Sequence, residues 1–318
     1  MFRHGSVPLH ALQSAGAGLH RPECVVTTPA GEVFVPDWRG GVTRIAADGS
    51  QETWLAASPP VDLRPNGIAV AADGSFLIAN LGDGGGVWRL RRNGTVEPFL
   101  TEVEGVPLPP ANFVSIDGRG RTWISVSTRH LPRQRAWRAD VADGFVVLVD
   151  TNGARIVADG LHYTNEVRPD PTGAWLYVVE TFGRRLSRFR IAAGGSLGEP
   201  EVILTLGHGC FPDGFAFDDG GGIWVTSLIS NRLLRACEGM VETILEDAVQ
   251  AYVEEVEQAF AGGSMRADHL GPIRGAVLQQ LTSIAFGGID GRTVFLGSLH
   301  APCLYRFAAG VAGAPTPR

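Results

Sequence analysis

The sequence predicts an all-β fold, a six-bladed β-propeller with one amphipathic helical insertion between blades five and six. Six times along the 318 residues a polar residue opens a short apolar strand, which runs into a Gly-containing turn and a second strand. Successive openings lie 43, 46, 53, 48 and 70 residues apart. A period of about 40 to 50 residues with several strands per unit is typical of a propeller blade, because one four-stranded unit needs neighbours to cover its faces. The six openings are Glu23, Asn66, Asn112, Asn165, Asp213 and Ser283.

The blades follow one another along the chain, so the sequence predicts a single domain over residues 1–318. Segments such as DGSFLIAN in blade two and TGAWLYVV in blade four have the turn and apolar run of an inner strand. A strand from residues 5–20 is expected to pair with the sixth blade. The predicted blades cover approximately 21–50, 64–100, 111–158, 161–204, 211–245 and 281–308.

Two segments interrupt this pattern. Within blade three, residues 129–143 are polar and Arg-rich and lack strand periodicity, which predicts a long loop at the mouth of the central tunnel or on the opposite rim. Before blade six, residues 245–261 have a helical period with acids on the opposite face. This amphipathic helix packs outside the blades, covers the tunnel as a lid or forms an oligomer contact. Its apolar positions are Leu245, Val249, Tyr252, Val256 and Phe260.

Composition excludes several classes of function. The net charge is −6 without long blocks of one sign, so neither nucleic acid nor a membrane surface is an expected partner. All 27 basic residues are arginine, which excludes a lysine Schiff base. Four cysteines without a CxxC pair or a secretory context predict reduced thiols. No apolar run approaches the length of a membrane span, and we expect a soluble cytoplasmic protein, monomeric or homodimeric.

Four of the openings form a candidate metal site. Closing six equivalent repeats brings their opening side chains to one height around the tunnel. Ca²⁺ takes six to eight oxygen ligands from carboxylates, amide carbonyls and water. Glu23, Asn112, Asn165 and Asp213 offer two carboxylates and two amides. Because the four residues are distant in sequence and aligned only by the repeat, we predict that they hold one divalent cation with room for substrate or water.

The other two openings have a simpler interpretation. First-strand openings in propellers are often polar because the tunnel is wet, and Asn66 and Ser283 fit this explanation. The alternative is that both side chains contact the substrate. Asn or Asp before Gly, as at Asn66 and Asp213, also occurs in turns, although the position at the front of an apolar strand favours the tunnel.

These openings, with the repeat that aligns them, resemble the SMP-30/gluconolactonase family of regucalcin-like lactonases over residues 20–308. The resemblance implies one tunnel cation, usually Ca²⁺ and sometimes Zn²⁺ or Mg²⁺, held by Glu23, Asn112, Asn165 and Asp213. It also implies hydrolysis of a lactone or similar ester, in which the metal polarises the carbonyl. Asp213 would then be the catalytic residue, as general base on water or as nucleophile.

Three positions depart from the family pattern. Phe113 follows the blade-three Asn where the family usually has Asp, and Pro110 stands where sugar lactonases often carry Arg. Glu166 replaces the Gly that commonly follows the blade-four Asn. Phe113 and Glu166 are therefore candidate substrate contacts. The more apolar mouth favours a lactone or ester with fewer hydroxyl groups than a sugar acid.

Histidines are candidates for proton transfer or anion binding. His162 and His208 precede two of the predicted ligands, and His300 follows the second strand of blade six. Each is either a structural residue or the proton donor to the leaving alkoxide. On the insertion, Arg129 and His130 are candidates for binding a substrate carboxylate.

Two other functions are compatible with the same fold. One is a non-catalytic propeller that binds a metal ion or a small molecule. The other changes the chemistry, as in phosphotriesterase-like hydrolases or strictosidine-synthase-like enzymes that form C–C bonds. A serine nucleophile is disfavoured, because the chain contains no GxSxG motif. In each case the partner is a small molecule.

Overall fold

The computed structural model describes residues 6–271 and 275–315. Six four-stranded sheets form the predicted six-bladed β-propeller, with one α-helix late in the chain. The described backbone groups into two compact units. The middle unit comprises Pro36–Val42 and Thr53–Thr205, and the terminal unit comprises the described parts of 1–35, Thr43–Glu52 and Leu206–Pro315. Sheets two to four belong to the middle unit and sheets five and six to the terminal unit, while sheet one has residues in both.

The strands are numbered in chain order, and each sheet is one blade. The N-terminal strand is β1, Gln13–Ala15. Blade one consists of β2 Val26–Thr27, β3 Val33–Asp37, β4 Gly41–Ile45 and β5 Gln51–Leu55. Blade two consists of β6 Pro65–Val70, β7 Phe76–Asn80, β8 Val87–Leu90 and β9 Val96–Leu100. A hairpin follows, β10 Glu102–Val103 and β11 Val106–Pro107.

The next three blades have the same order. Blade three consists of β12 Ala111–Ile116, β13 Thr122–Val126, β14 Gly144–Asp150 and β15 Gly153–Leu161. Blade four consists of β16 Thr164–Pro169, β17 Trp175–Glu180, β18 Arg185–Ile191 and β19 Leu197–Thr205. Blade five consists of β20 Pro212–Phe217, β21 Ile223–Ser227, β22 Arg232–Cys237 and β23 Met240–Glu246.

Blade six is completed by the N-terminal strand. Its own strands are β24 Leu281–Gly287, β25 Thr293–Ser298 and β26 Leu304–Ala308. The outermost strand is β1, which pairs antiparallel with β26. The partner strand predicted within residues 5–20 is therefore β1, and residue 5 lies outside the described residues.

The helix between blades five and six begins later than predicted. It is α1, Gln250–Ala261, with Val253 and Val256 buried. Leu245, predicted as its first apolar position, is in β23 and pairs with Leu233 of β22. The remaining short helices are of the 3-10 type, at Leu9–Ala11, Arg133–Ala136 and Ala267–Leu270. Among the described residues, no helix has the length and apolar character needed to cross a membrane.

Apolar side chains between neighbouring sheets form the core of each unit. In the middle unit, Leu77, Val114, Ile124 and Val147 belong to one buried cluster shared by blades two and three. In the terminal unit, blades five and six share another cluster around Trp224, whose ring meets that of Phe286 edge-on at 5.3 Å. Blades two and three, and blades five and six, are thus stabilised by burying a face of one sheet against its neighbour in the same unit.

A buried carboxylate supports the terminal core. The side chain of Asp218 is fully buried and accepts hydrogen bonds from Trp224 Nε1 at 2.7 Å and from Arg235 Nε at 2.6 Å. It also accepts from the backbone N–H of Gly222 at 2.7 Å. Burial alone would raise the pKa of Asp218, but the hydrogen bonds from Arg235, Trp224 and Gly222 outweigh it, and the pKa lies below its ordinary value.

We expect Asp218→Asn to lower the free energy of unfolding by about 3 kcal/mol, because it leaves the buried guanidinium of Arg235 without its charge partner. Since the folded pKa of Asp218 is depressed, this stability is complete above the unfolded pKa, about 3.9, and is lost as the pH falls through the folded value. Chemical denaturation from neutral to acidic pH measures both effects. Asp140→Asn, at an exposed Asp–Arg pair, is the control, and equal stability of the two variants would contradict the assignment.

Candidate metal and substrate site

In blades two to six the predicted opening residues lie in irregular segments of their first strands, whereas Glu23 of blade one precedes β2. In blades two to six, the register between the first and second strands shifts at the opening, as in a β-bulge, which re-aims a side chain. Asn66, Asn112, Asn165 and Asp213 each follow the residue at which the shift begins. The shifts lie between Pro65 and Ile68, Ala111 and Phe113, Thr164 and Val167, Pro212 and Phe215, and Leu281 and Ile284.

In blade six the ladder places Thr282 at the opening position that the sequence assigned to Ser283. Thr282 directly follows Leu281, where the shift begins, and Ser283 is one residue further on. Both residues bond to the chain around the blade-one opening. Thr282 Oγ1 donates to the carbonyl oxygen of Glu23 at 2.6 Å, and Ser283 Oγ accepts from the N–H of Val25 at 3.3 Å. The two hydroxyls therefore hold the backbone around Glu23 in place.

The openings of blades two and three are joined by a side-chain hydrogen bond. Asn66 Nδ2 donates to the carbonyl oxygen of Asn112 at 2.9 Å and lies 3.4 Å from its Oδ1. Both side chains are buried. At Gly67 a Cβ would lie 2.6 Å from the Cα of Phe113, so only glycine permits this approach of the two strands. Asn66 therefore helps to orient Asn112.

Phe113 and Glu166 contact one arginine. Phe113 is fully buried, and the guanidinium carbon of Arg168 lies 4.8 Å from the centre of its ring. Glu166 accepts from the same guanidinium at 3.0 Å and is also buried. These two candidate substrate contacts therefore have a structural partner in Arg168.

Asn165 in blade four presents an unpaired oxygen. Its Nδ2 donates to Thr181 Oγ1 at 3.2 Å. Its Oδ1 is buried and has no hydrogen-bond partner among the described residues. A buried acceptor without a partner costs about 1–3 kcal/mol, and Thr181 directs the amide so that this acceptor remains available to a ligand.

The two predicted carboxylate ligands lie in the terminal unit, and both are buried. The N–H of Glu23 donates to the carbonyl oxygen of Arg21 at 2.8 Å. Beside Asp213, the N–H of Gly214 donates to Thr226 Oγ1 at 2.9 Å, and this hydroxyl donates to the carbonyl oxygen of Thr282. The backbone at each carboxylate is thus fixed by neighbouring groups.

The blade-three insertion lies at the opening end of its blade, by which we mean the end where the first strand begins and the second strand ends. Ala111 at the start of β12 pairs with Val126 at the end of β13, and the insertion follows Val126. Of the two locations predicted for residues 129–143, the structure therefore shows the end that carries Asn112.

Aromatic side chains join this insertion to the opening of blade four. Trp137 Nε1 donates to Tyr163 Oη at 2.9 Å. The ring of Phe182 lies 4.8 Å from that of Tyr163 and 6.2 Å from that of Trp137. All three residues are buried. We call them the aromatic cluster, and it holds the insertion against the segment that leads into Asn165.

Arg129 and His130 are already paired with acids. Arg129 bonds Asp159 through both terminal nitrogens, at 2.8 and 2.9 Å. His130 Nδ1 lies 2.8 Å from Asp143 Oδ2. Burial raises the pKa of Asp143, but hydrogen bonds from Thr128, the Arg129 backbone and His130 place it below its ordinary value. The two predicted carboxylate-binding residues are thus already paired with carboxylates of the protein.

In the terminal unit, α1 contacts the segment that precedes Asp213. Phe260 meets Phe211 edge-on at 5.2 Å, and Glu257 accepts from the N–H of Gly209. Tyr252 Oη accepts from Gln280 Nε2 at 3.1 Å, just before β24. The helix therefore lies against the segments that lead into β20 and β24.

The candidate proton donors occupy different surroundings. His208 Nε2 lies 3.2 Å from Glu254 of α1, and both side chains are about half exposed. His300 Nε2 lies 2.9 Å from the carbonyl oxygen of Leu270. The Nδ1 of His162 is buried without a hydrogen-bond partner in the described part of the chain. Of the three histidines, His208 therefore contacts α1, through Glu254.

Six four-stranded blades, five of which have a buried polar residue in a bulge at the opening of the first strand, define a β-propeller. The family model described as the SMP-30/Gluconolactonase/LRE-like region matches residues 20–243, more than half of the chain, and the chain belongs to this family. The resemblance stated from the opening residues is thereby confirmed. A search of curated proteins found no match.

Solved structures show the same fold at low sequence identity. A gluconolactonase, XC5397 from Xanthomonas campestris, is 17% identical over 95% of this chain and 89% of its own, with a TM-score of 0.68. Regucalcin from Agrobacterium tumefaciens, a calcium-binding protein, is 18% identical over 95% and 94%, with a TM-score of 0.64. A luciferin-regenerating enzyme is 14% identical over 96% and 99%, with a TM-score of 0.69.

Proposed function

We propose that the protein is a metal-dependent hydrolase that acts on a lactone or a similar ester. Glu23, Asn112, Asn165 and Asp213 hold one divalent cation in this proposal, with Ca²⁺ as the first candidate and Zn²⁺ or Mg²⁺ as alternatives. The observation that carries it is the buried, unpaired Oδ1 of Asn165. Membership of the family, with a gluconolactonase and a calcium-binding regucalcin among the structures of the same fold, supports it.

The donor set suits a hard divalent cation. Glu23 and Asp213 supply two negative charges, which offset the charge of the ion, and Asn112 and Asn165 supply neutral amide oxygens. Asn66 orients Asn112, and Thr181 orients Asn165. Because these supporting groups fix the amides before an ion arrives, binding it costs little further ordering of the side chains.

The protein's own residues then position substrate and move protons. A bound cation supplies Lewis-acid polarisation of the scissile carbonyl. Asp213 accepts a proton from the attacking water, or attacks the carbonyl directly as the nucleophile. The hydrogen bond between Gly214 and Thr226 holds the backbone that carries Asp213. Opening a lactone ring by water leaves one product, a hydroxy acid.

Asn165→Ala tests the metal site directly. We expect it to raise the dissociation constant for Ca²⁺ by roughly tenfold to a hundredfold, because an interaction with a charged partner contributes about 1.5–3 kcal/mol. Calorimetric titration of the protein, first freed of metal with a chelator, measures this change without requiring turnover. Zn²⁺ and Mg²⁺ are titrated in the same way.

Two further variants separate a ligand role from a general loss of structure. Thr181→Val removes the hydroxyl that orients Asn165 and is expected to weaken Ca²⁺ binding less than Asn165→Ala. Asn93→Ala, in an exposed turn where Asn93 accepts from the N–H of Thr95, should leave it unchanged. The proposed metal site would be contradicted if the wild type bound none of the three ions, or if Asn165→Ala bound Ca²⁺ with wild-type affinity.

A further inference from the structure

The blade-three insertion carries more positive charge than its surroundings neutralise. Residues 129–143 contain four arginines and two aspartates in a protein whose net charge is −6. Arg129 pairs with Asp159, and Arg138 pairs with Asp140. Arg133 and Arg135 form no ion pair with any residue in 6–271 or 275–315. Two guanidinium groups on one 3-10 turn are therefore left without an acidic partner.

Of these two arginines, Arg133 is directed at the opening of blade four. Its guanidinium carbon lies 5.8 Å from the centre of the Tyr163 ring, and the residue is only partly exposed. Tyr163 precedes Asn165 by two residues and its hydroxyl accepts from Trp137. Because the aromatic cluster is buried, it fixes the turn that carries Arg133. Arg135 is exposed and has no aromatic contact in the described structure.

A guanidinium held in this way is suited to a carboxylate. Its planar arrangement of N–H donors matches the two oxygens of a carboxylate, and it remains charged at every physiological pH. The acidic protein as a whole repels anions, so a local positive group at an opening end selects where an anion approaches. The arginine is also already ordered by the Tyr163 ring, which reduces the entropy lost when a ligand binds.

We propose that Arg133 binds a carboxylate group of the substrate, so that the substrate is an anionic lactone or ester whose carboxylate lies apart from the bond that is cleaved. This inference rests on the proposed hydrolytic function and names its substrate class. The role that the sequence suggested for Arg129 and His130 falls to Arg133, because acids of the protein already hold the other two.

Equilibrium binding tests the inference without turnover. The probes are a cyclopentanone that carries a carboxylate on its ring, and the primary amide of the same compound, neither of which is hydrolysed by opening of the ring. We expect the wild type, loaded with Ca²⁺, to bind the anion at least roughly tenfold more tightly than the amide, as for a charge-assisted hydrogen-bonded pair. Arg133→Gln should abolish this preference, and calorimetry measures it.

Matched variants distinguish a specific site from bulk charge. Arg135→Gln removes the same charge from the same turn and should retain most of the preference for the anion. Arg133→Lys keeps the charge without the planar donors and should recover part of it. Equal affinity of the wild type for anion and amide, absence of binding of both, or a preference that persists in Arg133→Gln would overturn the inference. A melting curve of each variant confirms that it is folded.

The test of the Arg133 carboxylate site can fail independently of the test of the proposed hydrolytic function. Turnover is measured on a five-membered lactone with a ring carboxylate and on its amide. If neither lactone nor any other ester is hydrolysed while Arg133 still selects the anionic ketone, the hydrolytic function fails and the anion site stands. If both lactones are hydrolysed with the same KM, the hydrolytic function stands and the anion site fails.

Discussion

Asp213→Asn is expected to lower kcat for lactone hydrolysis by about a hundredfold to ten-thousandfold, the range that a positioned proton acceptor contributes. Asparagine has nearly the same shape and keeps one oxygen, but its amide neither accepts the proton of a water molecule nor acts as a nucleophile. The hydrogen bond from the N–H of Gly214 to Thr226 Oγ1 remains available, so the strand should keep its conformation. Steady-state kinetics on a lactone that the wild type hydrolyses, under saturating metal, measures the change.

The interpretation requires that the variant still folds and still holds its ion. Asp219→Asn makes the same change at an exposed site near the other end of β20 and should leave kcat unaltered. Titration of Asp213→Asn with Ca²⁺ shows how much of its loss comes from weaker binding of the ion. Full turnover by Asp213→Asn would exclude Asp213 as base and as nucleophile.

Removal of the metal is expected to reduce lactone hydrolysis to the background rate and to lower the melting temperature. An ion that binds only the folded state adds about 2.7 kcal/mol when its free concentration is about 100 times its dissociation constant. For a protein of 318 residues, each kcal/mol corresponds to about 1.5 °C in Tm. Activity and melting are measured in excess chelator and again after adding back one ion at a time.

The recovery of turnover after metal is added back identifies the ion, and the Asn165→Ala variant identifies the site. The ion that restores turnover at the lowest concentration is assigned to the site. Asn165→Ala should show a much smaller difference in Tm between chelator and a fixed Ca²⁺ concentration, because its site is less occupied. If turnover persists unchanged in excess chelator, no exchangeable metal takes part. If the Tm difference is the same in Asn165→Ala, the ion binds elsewhere.

Much of the fold is predictable because each repeat is a pattern of residues that are close together in the sequence. A polar opening, an apolar strand and a Gly-containing turn recur in each blade, and the six sheets confirm them. The predicted start of α1 is wrong because Leu245 fits both a helical and a strand pattern. Its spacing to Val249 and Tyr252 fits a helix, but the cross-strand pairing with Leu233 outweighs that local period. The strand that competes for Leu245 is the preceding one, β22, and the helical period of 245–261 does not include it.

The candidate site was predictable only in its residue types. The apolar strands make the polar opening residues recognisable in the sequence. Thr282 and Ser283 are adjacent residues that both carry a hydroxyl, and only the pairing register of β24 with β25 shows which of them lies at the opening. The contacts that orient the site join residues far apart along the chain. Thr181 bonds to Asn165, and Trp137 bonds to Tyr163. The residues of each pair lie in different segments, and the hydrophobic periodicity of the sequence does not indicate which segments come together. The Arg-rich composition of 129–143 was visible, while the pairing that leaves Arg133 without an acid was not.

The pairing of β1 with β26 has a consequence for synthesis of the protein. A ribosome releases the chain from its N-terminus at about 5–20 residues per second. Gln13 pairs with Arg306, so β1 has no partner until the ribosome has made the chain as far as β26. During that interval β1 is an unpaired strand while the sheets between β1 and β26 fold, and blade six gains its outermost strand only after β26 has been made.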